Sequence, residues 1–393
     1  MEESHNPNSH ERLKSWSELP SDLLISLLER LSFTDFRRAK SVCRSWYSAS
    51  RQCVPKNNNI PWLLLFPEDN NSCCTLFNPE EKDKLYRTQY LDLVLPRIFC
   101  LKTCGSWLLM RNRSSNLYLV NLFTKERINL PPVESQVGTT KLERTVVGFR
   151  ITCPDGSKPG KPMHIRSPVV WIDEKTKDYL VSWGLGTCCV VYSKKGDNSW
   201  TQVPEALDCC DMVYKDHKLY FCSYSRDLRI YDFSGEAPRE IFWCRCVYVE
   251  RFAYDGGGPR RPHVTNRKRL VVTKLVVTVT GDVLKVETYL RPKSRIWSFR
   301  LFKVCSSGDF KRVHSLGDES MLLALGITVL ANNYEGIRRN SIYFNASHNI
   351  TSDIFLFNLE TRKMEQLHKF DCSSDQLSGN RWFLPSFTQA VVA

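Results

Sequence analysis

No apolar run in the sequence is long enough to cross a bilayer. The longest, Met321 to Ala331, is about half of the ~20 residues that a membrane helix needs. Among 16 cysteines no C-x-x-C spacing occurs, which argues against a zinc site. The adjacent pairs Cys73-Cys74, Cys188-Cys189 and Cys209-Cys210 cannot readily bridge to each other or hold one ion tetrahedrally. The motifs Gly-x-Gly-x-x-Gly, Gly-x-Ser-x-Gly and His-Glu-x-x-His are all missing, so the usual phosphate cradle, nucleophile elbow and metalloprotease helix have no sequence basis. Met1 to Ser15 is polar and holds no apolar stretch, so no secretory leader is expected. A nuclear or cytoplasmic protein with reduced thiols follows, its cysteines packing as small hydrophobes. Acidic residues are in deficit: 42 Asp+Glu face 55 Lys+Arg, a formal charge of +13. That surplus bears on encounter and solubility, not on fold.

What is present is ordinary for a globular chain. Its 393 residues are 42% apolar, 25% charged and 11% aromatic, which excludes collagen-like and wholly disordered chains. The length suits one large all-β unit plus a small module.

The small module comes first. Residues 1–15 read as a disordered tail. From Leu19, apolar residues fall at 19, 23, 24, 27, 28 and 31, a helical spacing with one greasy face. Pro20 suits the entry, and Ser21 or Asp22 can cap the first turn. A second helical stretch, capped by Thr34 or Asp35, carries Phe36, Ala39, Val42, Cys43 and Trp46 at three- and four-residue steps. About forty residues cannot enclose that much apolar surface, so a greasy remainder needs a partner.

After Pro55 the period changes. Residues 54–60 read as a linker, and 61–393 are strand-rich. Short β segments are expected at 62–66, 117–121, 169–173, 179–183, 188–192, 218–222, 228–232, 270–280, 283–290, 298–303, 341–345 and 353–358. Thr280-Gly281-Asp282 between two β-branched runs predicts a hairpin. A strand, a polar turn and a second strand recur at 117–130, 228–241 and 354–367, as the two outer strands of a propeller blade would. Radial repetition of about six or seven blades fits the length better than one sandwich. None of the ten Trp precedes Asp, so these are not WD repeats.

The first module resembles an F-box. Leu19-Pro20-Ser21-Asp22-Leu23-Leu24, Leu27-Leu28-Glu29-Arg30-Leu31 and Val42-Cys43-Arg44-Ser45-Trp46 fall at that family's spacing, and the module spans 16–53. The remainder is similar to the plant KIB-type β-propeller. It carries Ser315 to Met321, Asn333 to Ile337, Asn340 to Phe344, Asp353 to Leu359 and Arg381 to Ser386, with Trp200 to Pro204 and Asp211 to Tyr214 upstream. Asp255–Arg269, rich in Gly and Arg, departs from that pattern. The expected fold is therefore mainly β, with a small α-helical module ahead of a propeller.

The resemblance implies a substrate-recognition subunit of an SCF (Skp–cullin–F-box) ubiquitin ligase. Leu19, Pro20, Leu23, Leu27, Leu28, Leu31, Val42 and Trp46 would dock on the Skp-type adaptor, while the propeller would hold a target protein that the sequence does not name. No catalytic residue, cofactor or metal is expected. Two other readings remain open: an interaction scaffold without a ligase, and a basic propeller that binds nucleic acid.

Three further stretches invite a chemical reading. Gly156 to Lys161 is one residue short of a phosphate loop and is followed by Pro162. Asp208-Cys209-Cys210-Asp211 with His217 fits buried strand cysteines beside a turn better than a metal site. Arg260–Arg269 is the densest basic stretch, readable as a solvated loop, a nuclear-import signal or an anion contact. Aromatics are not interleaved with its charges, as base stacking would want.

Overall fold

A computed structural model describes residues 16–31, 33–53, 62–66, 74–77, 85–87, 99–145, 148–153, 163–224, 227–245, 269–291, 296–305, 307, 309–331, 337–345, 354–368 and 381–383. The 1–15 tail, the 54–60 linker, Gly156–Lys161 and Arg260–Lys268 lie outside these residues. The chain divides into two compact units, one holding the helices and the other the strands.

The helical unit contains α1 (Ser21–Leu28), α2 (Phe33–Ala39) and α3 (Arg44–Ser50), preceded by a 3₁₀ turn at Trp16–Glu18. The expected second helix is thus two. Ser41 and Val42 donate their N–H groups to Arg38 and Ala39, three residues back, and the Ser41 hydroxyl also donates to the Arg38 carbonyl at 2.7 Å. Those bonds tighten the last turn of α2 and use up a carbonyl that the helix needs to continue. Cys43 is then extended, with φ −163°, and α3 starts afresh. The expected caps also shift. The N-cap of α1 is Pro20, with no side-chain hydrogen bond, and Asp22 lies in the first turn, where it faces the positive end of the helix dipole. Asp35 likewise sits in the first turn of α2, paired with Arg38 at 3.1 Å on the surface.

The strands form a propeller with six blades among the described residues. Blade 2 is the pattern: Phe99–Cys104, Trp107–Arg111, Leu117–Asn121 and Arg127–Asn129 pair antiparallel in chain order. Blade 3 (Ile165–Ile172, Tyr179–Leu185, Cys189–Lys194, Thr201–Gln202) and blade 4 (Cys209–Lys215, Lys218–Ser223, Asp227–Asp232, Arg239–Arg245) repeat it. Blade 5 runs Arg269–Val277, Val283–Arg291, Ile296–Val304 and Phe310–Val313. Blade 6 holds Glu319–Leu322, Ser341–Asn345, Ile354–Asn358 and Met364–His368, with Ile327–Leu330 folded back on its first strand. That extra strand touches Val277 of blade 5 through Ile327, fusing blades 5 and 6 into one nine-stranded sheet.

Blade 1 is assembled from both ends of the strand-rich region. Trp62–Leu65, Thr75–Phe77 and Leu85–Arg87 supply three strands, and Arg381–Phe383 supplies the innermost one. Trp382 donates its indole N–H to the Asn345 side-chain oxygen of blade 6 at 2.6 Å, and Thr103 of blade 2 donates to the Trp382 carbonyl at 2.6 Å. One short strand therefore links three blades.

The core lies between blades rather than at one centre. Trp107 and Leu119 of blade 2 pack with Val181, Trp183 and Trp200 of blade 3. Leu180 and Val190 of blade 3 meet Met212 and Phe221 of blade 4. Leu228 meets Leu275, Trp297 meets Phe344, and Ile354 meets Leu63 and Trp382 across the next three gaps. The middle strands of a blade can thus be covered on both faces: all five residues of Leu117–Asn121 and all seven of Tyr179–Leu185 are buried. Such strands read as continuous apolar runs, not as alternation. The outer strand Arg239–Arg245 holds no buried residue.

The strand–turn–strand repeat at 117–130, 228–241 and 354–367 proves to be the third and fourth strands of blades 2, 4 and 6. The hairpin expected at 280–282 is present, with Gly281 at φ +91° and the Thr278 N–H donating to the Asp282 carbonyl at 2.8 Å. Its first strand ends at Val277, before the expected Thr280. A two-stranded ribbon, Lys141–Thr145 with Gly148–Thr152, sits between blades 2 and 3 in sequence and was not foreshadowed by any repeat.

Candidate functional site

The helical unit exposes apolar surface that it cannot cover. Leu24 and Leu28, four residues apart on α1, are 1% and 0% exposed and pack on Phe36, Ala39 and Ala49. Leu23 and Leu27 lie one helical step away and are 51% and 38% exposed. The apolar arc of α1 is therefore wider than the groove that its own unit offers. Pro20 continues the exposed stripe by its i, i+3, i+7 spacing to Leu23 and Leu27.

The sequence-derived docking residues separate accordingly. Pro20, Leu23, Leu27 and Val42 are exposed. Leu19, Leu31 and Trp46 are half-buried against the unit's own core. Leu28, expected among the docking residues, is instead wholly enclosed, because the helix turns it onto Phe36 and Ala49. Trp16 and Tyr47, which spacing did not single out, are exposed beside them in sequence. Their apolar bulk ahead of and behind the core pattern was the available signal.

The two ends of the motif hold each other. Trp46 donates its indole N–H to the Trp16 carbonyl at 3.1 Å, and the Ser45 hydroxyl donates to the Ser17 carbonyl at 3.1 Å. The segment entering Leu19-Pro20 is thereby fixed by α3. The Pro20 carbonyl accepts the Leu24 N–H at 3.0 Å, so α1 begins where that segment is held. Ser45 also contacts the Cys43 sulfur at 3.0 Å, and this hydrogen bond, with help from the Trp46 N–H, lowers the thiol's pKa below its ordinary value.

The strand unit carries a cavity of about 610 Å³ beside blade 3. Part of its lining is a strap, Gly138 to Thr140. Val137 adds to the edge of blade 3 by accepting the Gln202 N–H at 3.0 Å and donating to the Trp200 carbonyl at 2.7 Å. The Gln202 side-chain oxygen then gathers the Thr139 and Thr140 N–H groups at 3.1 and 3.3 Å. Gly138, at φ +154°, passes so close to Gln202 that any Cβ would collide with that side chain. Cys153, Thr187, Cys188, Pro204, Glu205 and Leu207 complete the lining, and Leu207 is exposed. Glu205 is the one ionisable carboxylate among the lining residues, with no imidazole beside it.

The 208–211 and His217 cluster is divided by the fold. Asp211 accepts from Lys274 at 3.0 Å and from the Leu275 N–H at 2.8 Å. Burial pushes the Cys209 thiol well up and Cys210 to about 11. His217 lies in the next turn against Trp171, with ring centres 5.8 Å apart. Among the described residues, no three His, Cys, Asp or Glu side chains converge as metal ligands.

A small helical unit with an open leucine stripe, joined to a propeller with six blades among the described residues, defines the class of F-box proteins with a propeller domain. The family models and the plant relatives agree. An F-box domain model matches residues 16–58, and a KIB1-4 beta-propeller model matches 76–364. An Arabidopsis thaliana protein named as an F-box protein, At4g22180, is 54% identical over 98% of this chain and 99% of its own length. Another from the same plant, the F-box protein At1g69090, is 42% identical over 95% of this chain and 92% of its own. A solved propeller, that of Dos1, aligns at a TM-score of 0.34 with 8% identity, over 70% of this chain and 62% of that one. The chain belongs to the KIB1-4 beta-propeller family of plant F-box proteins.

Proposed function

We propose that this chain is the target-recognising subunit of an SCF-type ubiquitin ligase and performs no bond chemistry itself. The exposed stripe of α1 docks in an apolar groove of a Skp-type adaptor, which bridges to the cullin. The propeller holds the target protein. Ubiquitin transfer then gains from proximity, since target and transfer enzyme share one assembly.

The observation that carries this reading is the split of α1 into an enclosed pair, Leu24 and Leu28, and an open pair, Leu23 and Leu27. Complete burial of a leucine side chain contributes about 1.5–3 kcal/mol. An unpartnered stripe of that kind is unfavourable in water and suits a helix-in-groove contact. The family membership supports the same assignment.

Co-expression of the full chain with a Skp-type adaptor and cullin tests it. Recovery of both with wild type, and loss of both with Leu23→Asp/Leu27→Asp, is the expected result. Recovery of adaptor without cullin points to a scaffold. Tight nucleic-acid binding that weakens steeply between about 50 and 200 mM salt points to a phosphate-binding propeller.

A further inference from the structure

In the lining of the blade 3 cavity, two thiols from separate segments of the chain meet. The Cys153 thiol lies 2.8 Å from the Cys188 sulfur, across a separation of 35 residues. That is inside van der Waals contact and a short slide from the bonded distance of about 2.05 Å. Cys153 follows directly on the ribbon strand Gly148–Thr152, and Cys188 sits in the turn between the second and third strands of blade 3. Both are half-buried and both line the cavity, so a small reagent can reach them.

From this juxtaposition we propose that Cys153 and Cys188 form a reversible disulfide, an oxidation site that clamps the ribbon onto blade 3. The oxidant class is a small-molecule disulfide such as oxidised glutathione. One of the two cysteines, as thiolate, attacks a glutathione sulfur. A mixed disulfide forms and one glutathione thiol leaves. The second cysteine loses its proton and attacks the protein-bound sulfur, giving the Cys153–Cys188 bond and releasing the second glutathione. Two electrons and two protons pass from the protein thiols, and the reagent is reduced by the same two electrons.

The neighbours are poorly suited to compete. Cys189 is adjacent in sequence but buried, and burial lifts its thiol to about 11. Cys104, in the same apolar cluster, is also pushed up, chiefly by burial. Such thiols seldom ionise near neutral pH, and exchange needs the thiolate.

The test is peptide mapping of the full-length chain. Purified protein is incubated with oxidised glutathione or with dithiothreitol, alkylated and digested. The expected product is one cross-linked peptide joining Cys153 to Cys188, lighter by two hydrogens than its parts and absent after dithiothreitol. It should persist in Cys189→Ser and vanish in Cys153→Ser and Cys188→Ser. Full alkylation of both cysteines under oxidant that already modifies Cys43 would overturn the proposal, as would Cys153 bonded chiefly to another cysteine. The wild-type map decides the question even where a serine variant folds poorly.

Discussion

Trp46 donates its indole N–H to the carbonyl oxygen of Trp16, 3.1 Å away, and so ties the last residue of the F-box pattern to the segment that precedes its first. Trp46→Phe keeps the ring and removes the donor. The helical unit should lose about 1 kcal/mol. Adaptor binding should weaken with it, because the entry to α1 is then less firmly held. Denaturant unfolding and adaptor titration of the full chain measure both. An unchanged urea midpoint would show that the bond is incidental.

The open and enclosed leucines of α1 should behave in opposite ways. Leu23→Ala/Leu27→Ala leaves the fold near wild-type stability, since those side chains face water. It should weaken adaptor binding on the order of 100-fold, from the area lost at the contact. Leu28→Ala instead opens a cavity among Phe36, Ala39 and Ala49 and should cost about 2–5 kcal/mol of stability. Melting curves beside calorimetric titration separate the two effects.

Lys102 gives stability a defined pH dependence. On the first strand of blade 2, its ammonium donates to the Ala324 and Leu325 carbonyls at 3.4 and 3.3 Å. Burial, the largest influence, pulls its pKa from the usual 10.5 to about 8. Between those values the unfolded chain holds a proton that the folded chain has shed, so stability rises with pH across this window. Below pH 8 both states are charged and the penalty is fully present. The stability of wild type relative to Lys102→Met should therefore increase between pH 7.5 and pH 10, read as urea midpoints. A constant difference would place this ammonium in ordinary solvent.

Trp382 should be the most sensitive point of the propeller. Trp382→Phe leaves the Asn345 oxygen without its donor in a part-buried site, a loss of about 1–3 kcal/mol. Trp382→Ala also empties the gap between Leu63 and Ile354 and should cost more, about 3–5 kcal/mol. Limited proteolysis should then cut near blade 1 first.

The outer blade strands were legible because their turns are built locally. The Asn121 side-chain oxygen accepts the Phe123 and Thr124 N–H groups at 2.9 and 3.0 Å, and Asn358 does the same for Glu360 and Thr361 at 3.1 and 2.8 Å. Lys125 and Arg362 follow at φ +63° and +55°. A third copy at Asp173 joins the first two strands of blade 3, which is why it stood outside the repeat. Longer-range features had no such local mark. The strand Ile327–Leu330 forms a local hairpin with Glu319–Leu322, but its fusion of blades 5 and 6 depends on Val277, 50 residues upstream of Ile327. In the F-box the leucines were legible as a set, but apolarity alone does not separate Leu23 from Leu28. That division depends on how α1 is rotated over Phe36 and Ala49.

Blade 1 borrows its innermost strand, Arg381–Phe383, from the far end of the propeller. A ribosome must therefore deliver Arg381–Phe383, more than 300 residues after Trp62, before the ring can be sealed. Until then Trp62–Leu65 keeps a bare hydrogen-bonding edge, an invitation to chaperones or to stray strands of other nascent chains. Translation that stops short of Phe383 leaves a protein that can acquire its leucine stripe yet never completes its wheel.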